Sequence, residues 1–162
     1  MIFIKYPLSL NIVRKLKVSD VVSFTGKIVL IGEAAFQRIV NYERAEGLIP
    51  DFIKGELVCF GFVEQNLVRG ILAKNCEPFL EKAFLYGATS IIAFDSKIDD
   101  VFFKKFSRVL FVPESEIRPS MQRIIAYVDL GREAVHEIEV NRLIMRVAID
   151  SKGNKTTLEV KI

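Results

Sequence analysis

An α/β fold with a mixed sheet and covering helices is predicted by three features of the sequence. A β-rich run from Val21 stops at Gly32 and gives way to helical spacing; strands and helices alternate from about residue 75 to 113; two apolar segments flank a turn-rich loop at 150–154. Alternation of the second kind argues for parallel strands with helices laid across them, and the flanked loop adds an antiparallel hairpin. At 162 residues the chain is long enough for one ordinary core and short for two, and no linker divides it, so one domain over 1–162 is expected.

The elements follow in order. Ile2 to Lys5 reads as a strand ended by Pro7, and Ser9 as the N-cap of a short helix through Leu16, with Arg14, Lys15 and Lys17 at its C-terminal end. Val21–Thr25 and Lys27–Ile31 are β-branched and aromatic, with Gly26 as a hinge. From Glu33 the spacing is helical, placing Ala35, Ile39 and Tyr42 on one face with Phe36 and Val40 beside them, until Gly47. Pro50 to Gly55 is a loop. Glu56–Val63 is nearly all apolar, as in a strand buried on both faces, and turns through Glu64-Gln65-Asn66 into a second strand, Leu67–Ala73.

Asn75 reads as the cap of a helix over Cys76–Tyr86, with Pro78 in its first turn and Gly87 past its end. Thr89–Phe94 is a short buried strand, and Asp99 and Asp100 open a small helix that closes on Lys104 and Lys105. Arg108–Val112 is another buried strand. Pro113–Pro119 is a polar connection with one helical turn after it, Ile124–Val128 a strand, and Val135–Val140 an edge strand. Leu143–Ile149 and Thr156–Ile162 form a hairpin about Asp150–Asn154.

Composition excludes several function classes. Charges interrupt every apolar run before the roughly 20 residues of a membrane span, and the opening MIFIKYPLSLN reads as a first strand and not as a signal peptide, so a cytoplasmic protein is expected. Net charge of +3 comes from scattered lysines and arginines interleaved with acids, leaving no basic tract for nucleic acid. Cys59 and Cys76 stand alone without metal-ligand spacing and are expected to fill core space, so no metal site is expected in this chain. Thirteen Phe and a hydrophobic fraction of 51% point to a phenylalanine-rich interior or a contact surface, and so to self-association or a partner subunit.

The strand, Gly32, helix junction aims unpaired N–H groups and a positive dipole end at one point, a place suited to a carboxylate or phosphate. Glu33 is the acid at that helix head, a candidate general base, although helix dipoles favour an acid there regardless of chemistry. Lys74, Asn75 and Lys97 follow strands in the chain, where open α/β sheets place ligands, and with Arg38 they are the candidate substrate-binding residues; each also reads as a solvated loop or helix charge. His136, the one histidine, lies between acids in the expected edge strand and reads as a surface or hairpin residue.

Three stretches together resemble the β subunit of class I fumarate hydratases and L(+)-tartrate dehydratases, the C-terminal domain of their fused forms. They are LKVSDVVSFTGKIV followed by EAAFQRIV, the strand, hairpin and helix order through Phe79, Leu80, Glu81 and Phe84, and the tail LGREAVHEIEVNRLIMRVAIDSKGN. The resemblance implies a swivelling β/β/α domain. It also implies an α-subunit partner carrying a [4Fe–4S] cluster, the pair adding or removing water on a C4 dicarboxylate. That chemistry calls for a base, a Lewis-acidic iron and cationic groups to clamp two carboxylates.

The family's substrate loops are altered in this sequence. Its "R, D, x, A, H" motif falls on Gly32, Glu33, Ala34, Ala35 and Phe36, where the arginine and the histidine are gone and Glu33 keeps an acid. Its "G, P, T, T, S" loop falls near Ile71–Asn75, its "G, K, G, G" loop near Phe94–Lys97, and its "P, G, G, C" loop near Pro113–Glu116, where Pro113 alone remains. Two readings follow: a divergent hydro-lyase β subunit with little or no activity by itself, and a non-catalytic interaction domain that keeps only the fold.

Overall fold

The computed structural model of the protein describes residues 1–156. Its strands are β1 (Ile2–Lys5), β2 (Val21–Ile31), β3 (Leu57–Glu64), β4 (Leu67–Gly70), β5 (Ser90–Ile92), β6 (Val109–Pro113), β7 (Met121–Ala126) and β8 (Val135–Ile149). The helices are α1 (Leu10–Lys15), α2 (Glu33–Glu46), α3 (Ala73–Leu85) and α4 (Val101–Phe106), with a 3-10 segment at Val128–Glu133.

Strand pairing closes on itself. β2 pairs with β3, β3 with β5 and β5 with β6, all parallel; β6 then pairs with β8 and β8 returns to β2, both antiparallel. Five strands thus form a ring, with β1 on β2, β4 on β3 and β7 on β8 outside it. Closure leaves no open edge on the ring strands and separates two apolar clusters. One holds Phe24, Ile28, Leu30, Leu57, Cys59 and Phe111, with Val13 of α1 and Leu16 just past its end added. The other lies between the outer wall and the helices, where Val29, Ile31 and Phe60 meet Phe36, Leu80 and Phe103. The mixed sheet with covering helices expected from the sequence is observed.

Local signals account for most boundaries. The Ser9 hydroxyl accepts from the Ile12 N–H and starts α1. Gly47 ends α2 in the left-handed region at φ 70°, where no other residue is as easily accommodated. After α3, the Gly87 and Ala88 N–H groups donate to the Phe84 and Ala83 carbonyls, the paired bonds of a Schellman close.

Several expectations are corrected. α3 begins at Ala73, because Ala73, Cys76, Leu80 and Phe84 share its buried face; Asn75 lies inside the first turn and does not cap it, and Pro78 falls past that turn. β4 stops at Gly70, over which the Phe94 ring packs so closely that a side chain would be excluded. Tyr42 is 51% exposed and stands off the buried face of α2, which consists of Ala35, Phe36 and Ile39. β7 runs over Met121–Ala126 instead of 124–128, and a bend at Ser120, whose N–H donates to the Glu139 carbonyl, replaces the expected helical turn after Pro119.

The largest correction concerns β8. It is one fifteen-residue strand, and Val135–Val140 is not at an edge but between β2 and β7. A bulge separates its halves: Phe24 faces Leu143 while Gly26 faces Val140, so β8 carries one extra residue there, and the Arg142 N–H donates to Thr25 Oγ1 at 2.9 Å. The extra residue shifts the inward positions from Ile138 and Val140 to Leu143, Met145 and Val147. His136 is accordingly no surface residue. It is 6% exposed, opposite Leu30 and Ile124, with Nδ1 3.2 Å from the Ala134 carbonyl oxygen. The hairpin strand expected over 156–162 lies outside the described residues from 157 on; its turn is present, with Ile149 bridged to Lys155.

Candidate functional site

The head of α2 is covered by the chain itself. Gly32 is extended at φ −68°, open to any residue on backbone grounds, but a Cβ there would overlap the Glu133 carbonyl oxygen and stand 2.6 Å from its Cα. Glycine lets the 128–133 segment lie directly on the strand-to-helix turn. The Glu133 carboxylate then accepts from the Ala34 N–H at 3.2 Å, so an internal acid takes the helix-head position that a bound anion would use.

Arginines fasten this strap on both sides. Arg38 donates two parallel bonds of 2.9 Å to Asp129 and stacks 5.3 Å above the Tyr127 ring. The hydrogen bond to Asp129 raises the Arg38 pKa, and the same bond holds the Asp129 carboxyl below its ordinary value. Arg132 reaches Glu64 at 2.7 Å and lies 4.5 Å over Phe62. Phe36 is fully buried. Its ring is edge-on to Phe60 at 5.1 Å and tilted against Phe79 at 5.0 Å.

A cavity of ≈ 250 Å³ opens at the C-terminal ends of β5 and β6, where Asp95, Ser96, Lys97, Pro113, Glu114 and Arg146 meet. Asp95 folds back to accept from the Lys97 N–H at 3.1 Å, leaving the exposed Lys97 ammonium without an ion-pair partner among the described residues. Arg146 is held by Glu114 at 2.8 Å. Two cations and two carboxylates at one mouth can bind a small anion if it takes the place of Glu114 on Arg146.

The candidates from sequence are not brought to one place. Lys97 lines this cavity; Glu33, Arg38, Lys74 and Asn75 do not. Lys74 and Asn75 are exposed in the first turn of α3, and Arg38 is engaged by Asp129. Glu33 is exposed at the start of α2. It and Asp95 face the Cys76 thiol, whose pKa is pushed up to about 12, first by burial and then by those two carboxylates. Sequence reasoning missed Glu133, Asp129, Glu114 and Arg146. They act on partners between 32 and 99 positions away in the chain, a distance at which no spacing rule speaks.

The residues present do not fit an iron–sulfur cluster. Cys59 lies in the inner apolar cluster and Cys76 in the outer one, burial pushes both thiols up, and no group of three or more metal-ligating side chains occurs among the described residues. No described helix is long and apolar enough to cross a membrane.

The tail carries the decisive comparison. Residues 114–159 match the fumarase C-terminus family. The match takes in β7, the strap and ring-closing β8, and covers under a third of the chain. The resemblance to the fumarase β-subunit domain read from the sequence is borne out over this stretch. No curated protein matches the chain.

Proposed function

We propose that this chain is a divergent fumarase β-subunit-like half of an iron–sulfur hydro-lyase, inactive alone and dependent on a cluster-bearing α subunit to add or remove water on a C4 dicarboxylate. The observation that carries this reading is the placement of the match to the fumarase C-terminus on β7, the strap and β8. The strand-end cavity beside Lys97 supports it as the remaining place where this chain would grip one carboxylate. The cluster, which the two buried thiols do not fit, would come with the α subunit. The test is co-expression with an iron–sulfur α subunit and assay on fumarate, malate and tartrate. The chain alone is expected to show no turnover, the pair to show turnover, and Lys97→Ala in the pair to raise KM. A pair that forms but turns over none of the three substrates refutes the reading.

The covered head of α2 favours a second reading, a non-catalytic interaction domain. The Glu133 carboxylate in the anion position and Phe36 in the core leave no carboxylate fork at that turn. This reading predicts no heat of binding with malate or tartrate, and a saturable isotherm for either overturns it.

A further inference from the structure

A hollow of ≈ 570 Å³ lies between the C-terminal end of α1 and the Asp150 turn, with exposed Arg14, Lys15, Lys17 and Lys152 around buried Leu16 and Asp150. Among the described residues none of these four cations has a carboxylate partner. Asp150, the acid in the lining, is committed inward: it accepts from the Val18, Lys152 and Asn154 N–H groups and from Asn154 Nδ2, at 3.0 to 3.1 Å. Arg108 adds to the field. It is tied to the Ala88 and Phe106 carbonyls, and its pKa is lowered, first by burial and then by repulsion from Arg14.

The dipole of α1 explains Arg14 and Lys15, which lie in its last turn, but not Lys17 beyond the helix or Lys152 on another segment. Like charges gathered around a concave, partly apolar floor focus the field and concentrate anions there. We infer that this hollow binds a compact, multiply charged phosphoanion. Its donors come from two separate segments, and several independent cations suit the tetrahedral oxygens of a phosphate better than the single planar fork of a carboxylate. No aromatic ring is in the lining, so a nucleobase would have no face to stack on. The hollow shares no lining residue with the cavity beside Lys97, so the two sites are separable by mutation.

The test is calorimetric titration of the full chain with inorganic pyrophosphate at low ionic strength. One saturable site is expected, weakened by at least about tenfold in Lys17→Ala/Lys152→Ala, since each lost charge-assisted bond is worth roughly that factor. Lys5→Ala and Arg44→Ala remove exposed cations that form no salt bridge among the described residues and do not line the hollow, and should leave affinity within about twofold. If the double variant fails to fold by circular dichroism, Lys152→Gln alone is judged by the same criterion. No saturable heat, equal losses in the control variants, or citrate binding as tightly as pyrophosphate each overturns the inference.

Discussion

Gly32→Ala tests directly whether the strap seals the head of α2. The backbone at Gly32 is ordinary extended chain, so alanine meets no conformational penalty there; the whole cost is the overlap of its Cβ with the Glu133 carbonyl and Cα. The obstacle is main chain, which no rotamer change can move aside. Overpacking of this sort costs about 1–3 kcal/mol, and the loss of glycine's freedom in the unfolded chain returns about 0.4–1 kcal/mol. A net loss of about 1–2 kcal/mol is expected, read as a lower urea midpoint with unchanged slope. Displacement of the strap should also free the Ala34 N–H and release Arg38 from Asp129, so backbone amide exchange at Ala34 should quicken. Equal or greater stability in Gly32→Ala, with Ala34 exchange unchanged, would show that the strap does not press on this turn and would reopen the helix head as an anion site.

Three further outcomes follow from the same structure. Phe36→Ala should lose about 3–5 kcal/mol in urea unfolding, because its ring touches Phe60, Phe79 and Tyr86 in a closed cluster that cannot collapse around the gap. Asp150 is 3% exposed; burial pushes its carboxyl up, but the bonds from Asn154, Val18 and Lys152 outweigh burial and hold it below the ordinary value. Its contribution to stability is therefore complete above the ordinary carboxylate value and falls away as pH drops through the lowered one, so Asp150→Asn should flatten the acid limb of a midpoint-against-pH curve; parallel limbs in the two proteins would contradict this. Cys59 and Cys76, each 1% exposed with raised pKa values, should react with a thiol reagent only after unfolding, and a fast-reacting thiol in the native state would place one of them wrongly.

What could be read ahead of the structure was whatever a few neighbouring residues decide. The Ser9 cap, the stop at Gly47 and the close at Gly87 are local hydrogen-bonding problems with few solutions. The hinge at Gly26 was legible for the same reason, and it appears as a register shift inside one continuous strand. β8 was misread because alternation is only a guide while register is uninterrupted. The extra residue near Arg142 moves the inward face from even to odd positions, so one strand looks like two, and the buried His136 looks like an exposed neighbour of two acids. α3 was misread by one turn because Asn75 has a capping side chain, whereas the burial of Ala73 decided where the helix begins.

The covered helix head and the match of the tail to the fumarase C-terminus follow from a single strand. β8 pairs with β2, β6 and β7, so the ring cannot close without it. The strap that precedes it must leave β7, pass over Gly32 and enter β8 opposite Ile31, where Val135 pairs. In this chain the closure brings backbone across the β2–α2 turn. A carboxylate at Glu133 with glycine beneath it turns the crossing into a plug. Glycine at 32 is thus required by the strap's approach, and phenylalanine at 36 by the aromatic cluster below it. Introducing an arginine and a histidine together by Gly32→Arg and Phe36→His should cost more stability than either change alone and should not create dicarboxylate binding unless the strap is moved, a result that urea unfolding and a malate titration would read together.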